Sequence, residues 1–166
     1  MLPVVPDRIT WAVELLDPRP ADRILEIGCG PGLAAALVCE RLAGGRLTAI
    51  DRSATATERA RWRLAAHPAT VEHTDLAGLT AAAATFDKAF AVNVNVFWTG
   101  PADAELAVLR RVVRPGGVVH LVYEGPAGVD RDVAPTVATA LERIGCAVEV
   151  RRRPSAGLLG VAGVLP

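Results

Sequence analysis

The sequence predicts a three-layer α/β domain. Its core is a doubly wound sheet of about seven strands, mostly parallel with an antiparallel last strand, and helices cover both faces. Three observations carry this. Short apolar runs bounded by turn residues alternate with helix-length segments along the chain. The runs are almost continuously apolar, as strands buried on both faces require. A glycine-rich turn, Gly28-Cys29-Gly30-Pro31-Gly32, follows the first run and leads into an alanine-rich helix. The 166 residues suit a single domain spanning 1–166. Residues 1–22 form an N-terminal segment whose helix is expected to cover the site.

The elements follow in order. Asp7 to Leu16 has the spacing of an amphipathic helix, preceded by Pro6 and stopped by "DPRP". Arg23 to Gly28 is the first strand, and Leu33 to Leu42 is a helix stopped by Gly44-Gly45. Arg46 to Asp51 is the second strand. Ser53 then caps a helix running to about Ala66, with Glu58 and Trp62 one turn apart. Ala69 to Asp75 is the third strand, followed by a short alanine-rich helix or turn. Phe86 to Asn93 is the fourth strand, and Ala102 to Val113 is a helix stopped by Pro115-Gly116-Gly117. Val118 to Glu124 is the fifth strand and Val133 to Ile144 a helix. "AVEVRRR" and "GLLGVAGVLP" read as two last strands. Ligands of such folds sit outside the carboxyl ends of the strands.

Composition narrows the function. Formal net charge is zero, which argues against a nucleic-acid or membrane-surface partner. No run of about 18 apolar residues predicts a membrane span. The start "MLPVVPDRITW" has no secretory pattern. Cys29, Cys39 and Cys146 lack metal spacing and suit a reducing cytoplasm. His67, His73 and His120 are too scattered for a metal site, so none is expected. The last two sit inside strands as structural residues. Lys88 is the only lysine among 18 basic residues, a bias that points to a GC-rich bacterial coding sequence.

Glycine spacing alone leaves the ligand open. Counted from Gly30, residues 30–35 satisfy the dinucleotide pattern G-x-G-x-x-G/A; counted from Gly28 the pattern fails. Asp51, 21 residues past Gly30, can grip the ribose of any adenosine cofactor. Charge is more informative. Glu26 stands at the mouth of the first strand and Asp75 at the mouth of the third, with no Arg or Lys between Glu26 and Cys39. A pyrophosphate would meet only loop amides and the helix dipole there. S-adenosylmethionine has no phosphate, and its cationic groups suit an acidic mouth.

"ILEIGCGPG", "AIDRS", "HTDLAGL" and "LRRVVRPGGVVHLVYE" occur in that order. Together they resemble the class I S-adenosylmethionine-dependent methyltransferases, a Rossmann-like superfamily. The resemblance covers roughly Trp11 to Glu149. It implies that Gly28, Cys29, Gly30 and Gly32 line the methionine part of the cofactor. Glu26 would orient the loop or meet the ammonium, and Asp51 would bind both ribose hydroxyls. Arg52 and Ser53 would flank the adenine, and Asp75 would accept from its amino group beside the Leu76 amide. Asn93 would offer its carbonyl near the ammonium.

On the acceptor side, "NVNVFW" lacks the Pro-Pro of one amino-group methyltransferase motif. Asn95 either orients substrate or satisfies turn backbone. Phe97 and Trp98 either wall a pocket or join the core. Glu124, ending the fifth strand, is the best-placed candidate base. Asn95, Trp98 and Glu124 are thus the candidate catalytic residues. The expected activity is methylation of a small-molecule acceptor. The alternatives are a cofactor-binding subunit without methyl transfer and, more remotely, a nicotinamide-dependent oxidoreductase. Cover for the site comes from the N-terminal helix with Trp11, from residues 95–103, or from a second subunit in a homodimer.

Overall fold

The computed structural model describes residues 4–125 and 132–166. Residues 1–3 of the expected N-terminal cover and 126–131 after the fifth strand lie outside that description. Seven strands form one sheet among the described residues: β1 (Arg23–Ile27), β2 (Arg46–Asp51), β3 (Ala69–His73), β4 (Phe86–Val92), β5 (Val113–Glu124), β6 (Ala147–Arg153) and β7 (Leu158–Val164). Their spatial order is β3-β2-β1-β4-β5-β7-β6. Pairings from β3 through β5 are parallel, and β7 runs antiparallel to both of its neighbours. The chain winds outward from β1 to β3 and then returns to place β4 beside β1. That reversal is the crevice where ligands of doubly wound sheets bind.

Alternation along the strands sorts the two faces. Ile24, Leu47, Ala49 and Phe90 pack with Val13 and Leu16 of α1 (Asp7–Leu16) and with Ala34, Ala35 and Val38 of α2 (Leu33–Cys39). Leu25, Ile27, Ala89, Val119 and Leu121 form the opposite face. They pack with Leu106, Leu109 and Val112 of α5 (Asp103–Val112), and with Val137 and Leu141 of α6 (Ala134–Glu142). Helix α3 (Ala54–Arg63) adds Ala60 to the first face. Both edge strands are charged and exposed, with Glu72 on β3 and Glu149 and Arg151 to Arg153 on β6. Charge on an edge discourages strand addition by another chain.

Several boundaries depart from expectation. Helix α2 ends at Cys39, and Arg41 and Leu42 close it with i→i+3 bonds to Val38 and Cys39. Helix α3 ends at Arg63, before the turn containing Pro68. The alanine-rich stretch at 80–85 forms turns, one of the two forms expected of it. Strand β5 begins at Val113 instead of Val118. Val113 pairs with Phe86, and the register then shifts so that Lys88 pairs with Val118. Pro115-Gly116-Gly117 is therefore an irregularity inside the strand. A four-residue helix, α4 (Val96–Thr99), was not expected.

Candidate active site

The glycine loop leaves β1 at Ile27 and enters α2 at Leu33. Its glycines have different tasks. A Cβ on Gly28 would lie 2.6 Å from Val94 Cγ2, and one on Gly32 would lie 3.2 Å from Ala60 Cα. Gly28 thus lets the post-β4 segment close on the loop, and Gly32 lets α3 pack against it. A Cβ on Gly30 would meet nothing within 4 Å, so its face is open.

Asp51 holds this loop from the end of β2. Its Oδ2 accepts the Gly30 N–H at 2.8 Å and its Oδ1 accepts the Ser53 N–H at 2.8 Å. Each carboxylate oxygen keeps a further lone pair. Ser53 caps α3, its Oγ accepting the Ala56 N–H at 3.2 Å. Arg52 is exposed, and its carbonyl lies 3.0 Å from His73 Nε2, which makes His73 a structural residue as expected. Cys29 donates its backbone N–H to Ile50 at 3.0 Å. Burial, aided by the nearby Glu26 and Asp51 charges, pushes its thiol up to about 12, so it is no nucleophile.

Glu26 differs from its expected place at an acidic mouth. Its position in β1 turns it toward the α2 face, where it is only 3% exposed. Burial raises its carboxyl to about 8; the Ala35 amide opposes this and the Asp51 charge adds to it. Its Oε2 has no hydrogen-bond partner among the described residues. Asp75 is exposed, and its Oδ1 accepts the Gly78 N–H at 2.8 Å. The Leu76 side chain is buried in the core, so only its backbone can meet a ligand. Asn93 adopts a left-handed backbone with φ 57°. It joins β4 to β5 twice: its N–H donates to Val122, and its Oδ1 accepts the Glu124 N–H, each at 2.8 Å.

The acceptor-side candidates separate. Phe97 is fully buried core. Trp98 is half-buried against the same core and lies on α4. Asn95 is exposed at the start of α4 without a side-chain cap bond, while its carbonyl accepts from Trp98 and Thr99. Glu124 accepts a 2.8 Å ion-paired hydrogen bond from Arg8 of α1. No local pattern points to Arg8, which lies 116 residues from Glu124. Tyr123 donates its hydroxyl to the Val94 carbonyl at 3.0 Å and braces the segment facing Gly28. Two concavities lie away from the loop. One is an open depression between α6 and β6 beside Pro135 and Val150, and the other is a cavity of about 70 Å³ beside His120 and Leu15. Among the described residues, no cluster of His, Cys, Asp and Glu could hold a metal ion, and no helix is long and apolar enough to cross a membrane.

The glycine loop, its bridging aspartate and the crevice at the sheet reversal lie together at the carboxyl edge of the sheet. The chain belongs to the methyltransferase domain family, whose pattern it matches across residues 24–117, more than half its length. It is 40% identical to a malonyl-[acyl-carrier protein] O-methyltransferase of Salmonella typhimurium over 105 residues, covering 63% of this chain and 40% of that protein. It is 31% identical to a trans-aconitate 2-methyltransferase of Paracidovorax citrulli over 164 residues, covering 94% of this chain and 60% of that protein. The chain thus spans 40% and 60% of the length of these two relatives, less than two thirds of either. Its fold matches a SAM-dependent methyltransferase from Aquifex aeolicus with a TM-score of 0.79 at 18% identity, over 95% of this chain and 89% of that one.

Proposed function

We propose that this protein transfers a methyl group from S-adenosylmethionine to a carboxylate oxygen of a small or carrier-borne acid. The observation that carries the cofactor assignment is the Asp51 carboxylate spanning the Gly30 and Ser53 amides beside the open face of Gly30. The free lone pairs of Asp51 take the ribose hydroxyls. Arg52 and Ser53 flank the adenine, while Asp75 Oδ2 and the Leu76 amide read its edge. Gly28, Cys29, Gly30 and Gly32 present backbone to the methionine part. The Asn93 carbonyl serves the ammonium, and Glu26 supports the loop from behind. The bound cofactor supplies an activated methyl on a sulfonium.

Both relatives carry acceptor names, malonyl and aconitate, that denote carboxylic acids. A carboxylate is ionised at neutral pH and needs alignment and water exclusion rather than a base. Glu124 therefore serves as a positioning residue that holds Arg8. The guanidinium has further donors for an acceptor carboxylate. Asn95 and Trp98 bound the same side, and α1 covers it. Three buried free cysteines fit a reducing cytoplasm. The test uses methyl-labelled S-adenosylmethionine with a malonyl thioester or trans-aconitate. An alkali-labile methyl ester in the product, seen by mass spectrometry, is the expected result. Cofactor binding with no ester from either acid would overturn the acceptor assignment. Failure to bind the cofactor would overturn the whole reading.

A further inference from the structure

Helix α3 presents a surface unlike the rest of the molecule. It buries only Thr57 and Ala60, with Leu64 just past its end. Trp62 is 83% exposed, whereas Trp11 is buried and Trp98 half-buried. Arg59, Arg61 and Arg63 surround it, and Arg52 stands just before the helix. None of these four forms an ion pair among the described residues. Arg61 donates to the Val71 carbonyl at 3.3 Å and Arg63 to the Pro31 carbonyl at 2.9 Å. These two bonds fix guanidinium groups on either side of Trp62 and keep both at the surface. Glu58 is the single acid within the helix.

We propose that α3 and Arg52 form the docking surface for an acidic partner protein. Trp and Arg are the residue types that dominate interface energetics, and here they occur together. The unneutralised charge selects a partner rich in Asp and Glu. A nucleic acid fits less well: four cations on a chain of zero net charge release too few counterions for firm binding at physiological salt. Arg63 touches Pro31 in the glycine loop, so a partner seated here borders the cofactor side. The Salmonella relative's name places its malonyl group on an acyl-carrier protein. What the partner carries rests on the acceptor reading above; the docking surface does not.

The test is calorimetric titration with purified acyl-carrier protein bearing no acyl group. Saturable binding that weakens with added salt is expected. Trp62→Ala and Arg59→Glu should each weaken it about tenfold or more, the loss typical of a hot-spot residue. Both side chains are exposed and hold no other element, so the melting temperature should stay at the parental value. Absent binding, or binding that neither variant changes, overturns the proposal. So does tighter binding of mixed-sequence RNA through the same residues. The titrant carries no acceptor. Intact docking with no methylation of the free acids would therefore overturn the acceptor reading and leave this surface standing.

Discussion

On the β1–β2–β3 side of the carboxyl edge, carboxylates bind backbone amides no more than 21 residues away in the sequence. Asp51 reaches Ser53 and Gly30, and Asp75 reaches Gly78. On the β4–β5 side the bonds span greater distances: Asn93 meets Glu124 across 31 residues, and Arg8 meets Glu124 across 116. The first side ties binding groups to the backbone, so a change there alters both fold and affinity. The second side rests largely on part-exposed side chains, so a change there is expected to disturb the fold less. That division allows one cofactor site to serve many acceptors.

The largest expected effect lies behind the first side. The Glu26 carboxyl sits at about 8 in the fold against an ordinary 4.5. The folded state therefore holds its proton more tightly, and stability falls as pH rises from 4.5 to about 8. Glu26→Gln should remove that fall and stabilise the protein above pH 8 by up to about 5 kcal/mol, measured by denaturant unfolding. His120 works in the opposite sense. Burial, with the Lys88 and Arg151 charges adding, lowers it from 6.5 to about 4, so stability rises with pH across that window. The two slopes oppose each other between 4.5 and 6.5 in the parent. Only the His120 rise should remain in Glu26→Gln. An unchanged pH profile would show that the Glu26 charge is compensated.

Asp51→Ala comes next. It removes two charge-assisted bonds worth at most about 1.5–3 kcal/mol each, together with the ribose contact. Cofactor affinity should drop at least tenfold, with a lower melting temperature. Unchanged affinity by calorimetry would place the ribose elsewhere. A paired test then divides the loop itself. Gly28→Ala sets a methyl 2.6 Å from Val94 on a backbone that is also left-handed (φ 67°), and should cost about 2–5 kcal/mol of stability. Gly30→Ala meets no neighbour and should cost only about 1–2 kcal/mol for its left-handed backbone, yet it should block cofactor binding. Equal affinity losses in the two variants would erase that distinction. The smallest stability effect belongs to the second side. Arg8→Ala breaks a third-exposed ion pair, so thermal melting should register under about 1 kcal/mol. Its readout is a raised KM for the acid with cofactor affinity preserved.

The same division explains what the sequence disclosed. Strands β1, β2 and β4 were legible because apolar runs between turn residues have few other uses. Asp51 was legible because it ends such a run at a fixed distance from the glycines. Helix α4 was not, since four residues establish no periodicity. The early start of β5 was hidden because Pro-Gly-Gly signals a turn, whereas Val113 finds a partner only once Phe86 lies beside it. Glu26 was placed on the right strand, but its burial depends on α2 closing over that face. Arg8 carried no local signal, because its partner arrives from the far end of the chain.

Strand β7 has a consequence for assembly. Among the described strands it is last in sequence and next to last in the sheet, inserted between β5 and β6. A nascent chain that has emerged only through β6 can pair five strands, from β3 across to β5. It must leave β5 as an unpaired edge and β6 without a neighbour. That edge is twelve residues long and carries Val119, Leu121 and Tyr123. Order of synthesis and order in space run against each other here, and one late insertion completes two pairings together. The interval before that insertion is when the chain is most open to strand addition by another copy. Gly160 and Gly163 make the insertion a close fit. A Cβ on Gly160 would lie 2.7 Å from Leu15, and one on Gly163 would lie 2.9 Å from Cys146. The insertion slot is thus shaped by α1 on one side and by the start of β6 on the other.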